Sequence, residues 1–340
     1  MEQLHTITPE SPALKHVLIR GRSPQYSALI SSQGAGTPRA VTLAGYPLMP
    51  MGPAPVEDPK GDRGEMRMFS HLMMFPGGSN GPFMPADADF VEDKTGVRFY
   101  PFQKHGRAGM RPHGFTQTID ATGGHGTPSA AEFELRFPGS DEYIWPFHLS
   151  QKHSWIEDGT AYRREITVTN TGTDPMFLNL GLHDFLGVQP DQMRAIRVTE
   201  AVSGRELFSF ANYNRPDDEH EQPAYEYMHV HLGDDAPVFE YQLDGDFRDV
   251  TFNSWTDMIG SYGPAIINTL IDQQIARYPD AAYYFEANRD GIVAYYQNVI
   301  SYACPVEVAV PHFGAAYRHD RAVVLKPGEL RRYGVTIRAV

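Results

Sequence analysis

Cysteine is almost missing from this chain. Cys304 is the only one in 340 residues, which excludes an internal disulfide framework and any multi-thiolate zinc site and makes a reducing compartment the simplest reading. Basic residues are also short: 29 Lys and Arg face 42 Asp and Glu, a formal charge of −13. That balance argues against a nucleic-acid partner, which needs a basic stripe. No run approaches the roughly 20 apolar residues of a spanning helix, so no membrane partner is expected. Met1 to Lys15 has neither the basic nor the apolar region of a signal peptide, and a soluble cytoplasmic protein is the expectation.

Helical patterning is scarce too. Its best instance is Gly263 to Tyr278, where Ile266, Ile267, Leu270, Ile271 and Ile275 recur at helical spacing behind Pro264, although Ile-rich sequence also suits a strand. What the chain has in quantity is short β-type runs set between turn residues. His16–Arg20, Tyr26–Ile30, Arg39–Leu43, Glu132–Arg136, Tyr162–Thr169 and Met176–Leu180 are all of strand length, with Gly, Pro, Asn and Asp between or beyond them. In Tyr162–Thr169, Tyr162, Arg164, Ile166 and Val168 share one face and Arg163, Glu165, Thr167 and Thr169 the other, as in a half-buried strand. Asn170–Pro175 then offers a compact turn, and a hairpin to Met176–Leu180 is the natural expectation. Between Gly45 and His113, Pro and Gly recur in long stretches; loops of that length in a compact domain usually carry function. With no repeat or linker, the pattern predicts one antiparallel β domain over residues 1–340.

Several short motifs, in order, carry a resemblance. His113-Gly-Phe115, Glu132–Arg136, Tyr143-Ile-Trp-Pro146, Val168-Thr-Asn170-Thr-Gly172 and Leu180-Gly-Leu-His183-Asp-Phe185 are followed by Cys304-Pro-Val-Glu307 and Leu325-Lys-Pro-Gly-Glu329. From about Val17 onward the chain resembles the aldose 1-epimerase (galactose mutarotase) family. The resemblance implies a large antiparallel β-sandwich, all-β, whose concave face holds a small-molecule sugar without a cofactor. It also assigns roles: Glu307 as base, His183 as acid, and His113 holding a ring hydroxyl or sharing the proton donation.

Those residue types suit the chemistry. Interconverting α and β anomers requires taking the proton from the O1 hydroxyl and protonating the ring oxygen, so one base and one acid suffice. Near neutral pH a carboxylate is ionised and histidine titrates close by. Taken singly, each residue also has an ordinary reading: His113 and His183 as surface or core histidines, and Glu307, between Val306 and Val308, as an outward-facing strand carboxylate.

This chain departs from the family in three places. Cys304-Pro-Val-Glu307 is one residue longer than the usual Cys-x-Glu. Where members place an arginine after an aromatic-Pro pair, it has Phe75-Pro-Gly-Gly-Ser79-Asn80, so Asn80 or Ser79 would hydrogen-bond a hydroxyl without a guanidinium fork. The family's aspartate three residues before an aromatic fits both Asp244 and Asp249. Other classes remain open: a non-catalytic carbohydrate-binding sandwich using some of the 18 Tyr and 19 Phe, or a hexose-6-phosphate mutarotase if Arg107, Arg111 and Arg318 converge. His229-Val-His231 would suit a cupin-like metal site, but Asp234, Asp235 and Glu240 are badly spaced for the third ligand, so no metal is expected.

Overall fold

A computed structural model of the protein describes residues 5–7, 16–32, 35–49, 71–74, 91–92, 98–99, 119–139, 145–178, 180–184, 186–187, 195–209, 219–223, 225–246, 249–253, 272, 300–304 and 323–340. Their largest sheet has ten strands in the order β1 (His5–Ile7), β9 (Gly123–Gly126), β10 (Ala130–Phe137), β11 (Phe147–Ile156), β12 (Ala161–Asn170), β23 (Leu330–Ala339), β19 (Phe239–Gly245), β18 (Tyr227–His231), β15 (Arg197–Glu200) and β16 (Glu206–Ser209). A second sheet runs β17 (Glu219–Pro223), β20 (Asp249–Asn253), β21 (Ile300–Cys304), β14 (Leu180–Asp184) and β6 (His71–Met74). A third holds β2 (His16–Arg20), β3 (Ser27–Ser31), β4 (Thr37–Leu43) and β5 (Tyr46–Met49). Two short pairs complete the set, β7 (Val91–Glu92) with β8 (Arg98–Phe99) and β13 (Met176–Leu178) with β22 (Val323–Leu325). The pairings are antiparallel throughout, as in β10 with β11 and β14 with β21.

Side-chain alternation explains why these segments are strands. On β12, Tyr162, Arg164, Ile166 and Val168 are buried while the residues between them are half-buried. On β10, Ala131, Phe133, Leu135 and Phe137 turn inward in the same way. These inner faces pack on Val41 and Leu43 of β4 and on Leu182 of β14 in one core. Fully burying such side chains contributes about 1.5–3 kcal/mol each. Among the described residues no helix is long and apolar enough to cross a membrane. The helix expected at Gly263 to Tyr278 lies, Asp272 apart, outside the described residues.

The hairpin expected across Asn170–Pro175 does not form. The turn exists, but β12 pairs with β11 and β23, whereas β13 pairs with β22. Both edges of β12 are already occupied, and Asn170 commits its groups elsewhere. Its side-chain Nδ2 donates to Asp174 O at 2.8 Å and Leu325 O at 2.9 Å, and its Oδ1 accepts from Gly172 N–H at 2.9 Å. The backbone N–H donates to Glu329 O at 3.0 Å and its carbonyl accepts from Gly328 N–H at 2.9 Å. Gly328 has φ 77°, the left-handed conformation glycine tolerates best. Glu329 closes its own turn by accepting Lys326 N–H at 2.9 Å on Oε2. The Val168–Gly172 and Leu325–Glu329 motifs therefore form one hydrogen-bonded knot that hands the chain from the ten-stranded sheet to β13.

Candidate active site

His183 lies on β14 between two paired neighbours. Across one edge it registers with Ser301 of β21, and across the other with His71 of β6. β21 in turn aligns Ser301 with Thr251 and Ala303 with Asp249 on β20. Cys304, opposite Leu180, ends β21, and Glu307 follows three residues later in sequence. Glu307, His113, Asn80 and Ser79 themselves lie outside the described residues, as do Arg107, Arg111 and Arg318.

The two candidate aspartates separate cleanly. Asp244 stands on the ten-stranded sheet, where its carboxylate accepts two hydrogen bonds from Arg163, Nη1 at 2.7 Å and Nη2 at 3.2 Å. Asp249 stands on β20, two strands from His183 in the same sheet. Identical spacing to an aromatic residue could not have told them apart, because sheet membership is a long-range property.

Directly after His183 the strand carries a charge into the core. Leu182, Asp184 and Leu186, at alternate positions, are all buried, Asp184 at 2% exposure. From the ten-stranded sheet Arg164, 3% exposed, brings Nη1 to 3.7 Å from Asp184 Oδ1. Neither of those two atoms has a hydrogen bond among the described residues. The rest of the guanidinium is held firmly: Nε and Nη2 both donate to Gln151 Oε1, at 3.1 and 2.6 Å. Gln151 Nε2 donates to Ala35 O at 2.7 Å. Burial pushes the Asp184 carboxyl up to about 6, against the downward pull of Arg164. Burial also lowers Arg164, with Asp184 acting in the opposite sense.

Beside this chain of contacts sits a buried, uncharged histidine. His153 Nε2 lies 2.8 Å from Gly36 O and Nδ1 2.7 Å from the Tyr162 hydroxyl. A carbonyl only accepts, so Nε2 carries the proton and Tyr162 donates to Nδ1. Burial, with the Arg164 charge, lowers this imidazole to about 3. The sequence pattern puts Arg164 on the apolar face of its strand but gives it no role, and it passes over Gln151, His153 and Asp184. The available signal is an acid in the alternating series Leu182, Asp184, Leu186.

His229 and His231 share the outer face of β18, with Met228 and Val230 buried behind them. His229 Nε2 lies 3.3 Å from Glu240 Oε2, and Arg338 Nη1 donates to Glu240 Oε1 at 2.6 Å. Glu240, the acid nearest His229, is thus already engaged by a guanidinium, whose charge opposes a cation there. Burial lowers His231, and the Arg197 charge adds to this. Among the described residues no group of three His, Cys, Asp or Glu side chains is arranged to hold a metal.

No protein-family model matches the chain, and no curated protein matches it. Solved structures do. A galactose mutarotase-like protein from Lactobacillus casei superimposes with a TM-score of 0.57 at 12% identity, over 96% of this chain and 100% of that one. A galactose mutarotase related enzyme from Lactobacillus acidophilus gives 0.57 at 12%, over 96% and 97%. A galactose mutarotase-like protein from Clostridium acetobutylicum gives 0.55 at 12%, over 100% and 99%. At such identities the likeness speaks for architecture alone. The protein has the galactose mutarotase-like fold, a large all-β sandwich of antiparallel sheets.

Proposed function

We propose that the protein interconverts the α and β anomers of a hexose by general acid/base catalysis. Glu307 takes the proton from the O1 hydroxyl while His183, as imidazolium, donates to O5. The C1–O5 bond breaks as the C1 carbonyl forms, and rotation about C1–C2 presents the other carbonyl face. Reclosure returns the proton from O5 to His183 and from Glu307 to O1, so both groups end as they began. His113 and Asn80 hold ring hydroxyls, and Asp249 takes the aspartate role in preference to Asp244.

The observation that supports this best is the pairing of β14 with β21, which makes the His183 strand and the strand leading to Glu307 immediate neighbours. The fold shared with mutarotase-like proteins adds to it. Asp249 is preferred because Asp244 is already engaged by Arg163 in the other sheet. Without the family's guanidinium at Asn80, a neutral sugar is held weakly.

Polarimetry on freshly dissolved α-D-glucose or α-D-galactose, corrected for the spontaneous rate, tests the reading. Glu307→Gln should abolish acceleration while leaving sugar binding largely intact, since the amide keeps the shape but is no useful base. kcat/KM should fall on the acid side as the carboxylate protonates and on the basic side as the imidazolium is lost. Full activity in Glu307→Gln would unseat that residue as base. Sugar binding without acceleration by the wild-type protein would favour the binding-module alternative, and activity confined to hexose 6-phosphates the phosphate-specific one.

A further inference from the structure

We propose that the buried Arg164–Asp184 pair is the positioning device for His183, fixing the strand that carries the acid against the ten-stranded sheet. The inference rests on the reading of His183 as acid. Asp184 is the next residue, so anchoring its side chain anchors the peptide unit that joins it to position 183. Leu182 and Leu186 on the same face are buried in the core, but apolar contact is non-directional and tolerates sliding. A buried carboxylate facing a fixed guanidinium at 3.7 Å is instead drawn toward one point, because opposite charges attract strongly where water is excluded.

The guanidinium can serve as a fixed point because it is itself held from behind. Ala35 O, just before β4, receives Gln151 Nε2; Gln151 Oε1, on β11, receives two Arg164 N–H groups; Arg164 Nη1, on β12, faces Asp184 Oδ1 on β14. The three larger sheets are thus joined in one line of polar contacts. Just beyond Leu186 the chain is held again, where Gly187 N–H donates to Leu48 O at 2.8 Å and Gly187 O accepts the Tyr46 hydroxyl at 2.7 Å.

A buried ion pair is poorly explained as a stabiliser, since an apolar pair of similar volume is often as good or better. Its value here is geometric. An acid displaced by about 1 Å from the ring oxygen loses on the order of a hundredfold in rate.

The test is the double variant Arg164→Met/Asp184→Leu, which keeps the core filled and removes the charge contact between the sheets. Its thermal midpoint should equal or exceed that of the wild type. By polarimetry, kcat for hexose anomerisation should fall at least about tenfold with KM little changed. The imidazole titration of His183, followed by NMR on ¹⁵N-histidine protein and assigned with His183→Asn, should be shifted or broadened. An unshifted His183 titration in the folded variant overturns the proposal, whatever the rate. Should the double variant not fold, Arg164→Lys keeps the charge, loses the two-bond grip of Gln151, and is judged by the same titration. A wild-type protein that accelerates no hexose sinks the mutarotase reading, while the titration still decides the positioning.

Discussion

Arg163 and Arg164 are adjacent on β12, and the pleat sends them to opposite sides of the sheet. Arg163, on the outer face, grips Asp244 with two hydrogen bonds and also donates to Thr336 Oγ1 at 2.9 Å. The grip spans β23 because Gly334 lies beneath it, where a Cβ would collide with the Asp244 carboxylate. Hydrogen bonding to Asp244 raises Arg163 above its ordinary value, whereas burial lowers Arg164. The better geometry belongs to the exposed pair, and the greater sensitivity to loss belongs to the buried one. Water can replace the partner of Arg163, but nothing replaces that of Arg164.

The sharpest way to break this comparison is to remove one buried partner. Arg164→Met alone should cost roughly 3–5 kcal/mol, because it leaves the Asp184 carboxylate without its counter-charge in the core. Urea unfolding near pH 7.5 measures it, and a loss below about 1 kcal/mol would mean that the two faces do not differ as argued.

A second, smaller effect concerns pH. His153 is held neutral, lowered to about 3 by burial and by the Arg164 charge, against the upward pull of its hydrogen bond to Gly36 O. Its contribution to stability is full above the unfolded value of 6.5 and is lost as pH falls toward 3, since the unfolded chain binds a proton the folded one refuses. Asp184 acts oppositely: raised to about 6, it favours the folded state below its unfolded value of 3.8 and loses that contribution as pH rises through 6. The stability difference between wild type and His153→Gln should therefore shrink by roughly 3 kcal/mol between about pH 7 and pH 4.5. A difference independent of pH would contradict the neutral, buried imidazole.

The smallest effect is expected outside. Asp244→Ala should cost less than about 1 kcal/mol and less still at high salt. If it cost as much as Arg164→Met in the same urea titration, solvent exposure would not be what separates the two pairs.

The same strand shows how much the sequence disclosed. Strict alternation made β12 and its two faces legible, Arg164 included, because a period of two is a local property. The partner of β13 was not legible: β22 lies far along the chain, and the turn residues at Asn170 are equally suited to a hairpin. For the proposed site, the motifs named His183 and Glu307, and the described residues add only that the His183 strand pairs with β21, which ends three residues before Glu307 in sequence. The proposed preference for Asp249 over Asp244 rests on sheet membership, which no local spacing discloses, and Asp184 needed its partner from another sheet before its burial made sense. The Val168–Gly172 and Leu325–Glu329 motifs contributed to the resemblance through backbone architecture, since they bind each other.

β23 sits in the middle of the ten-stranded sheet, between β12 and β19, though both are synthesised well before it. Until it emerges from the ribosome, those two strands present unpaired edges, and the two halves of the sheet have nothing to join them. Such late, non-local closure slows folding and leaves the growing chain open to edge-to-edge association.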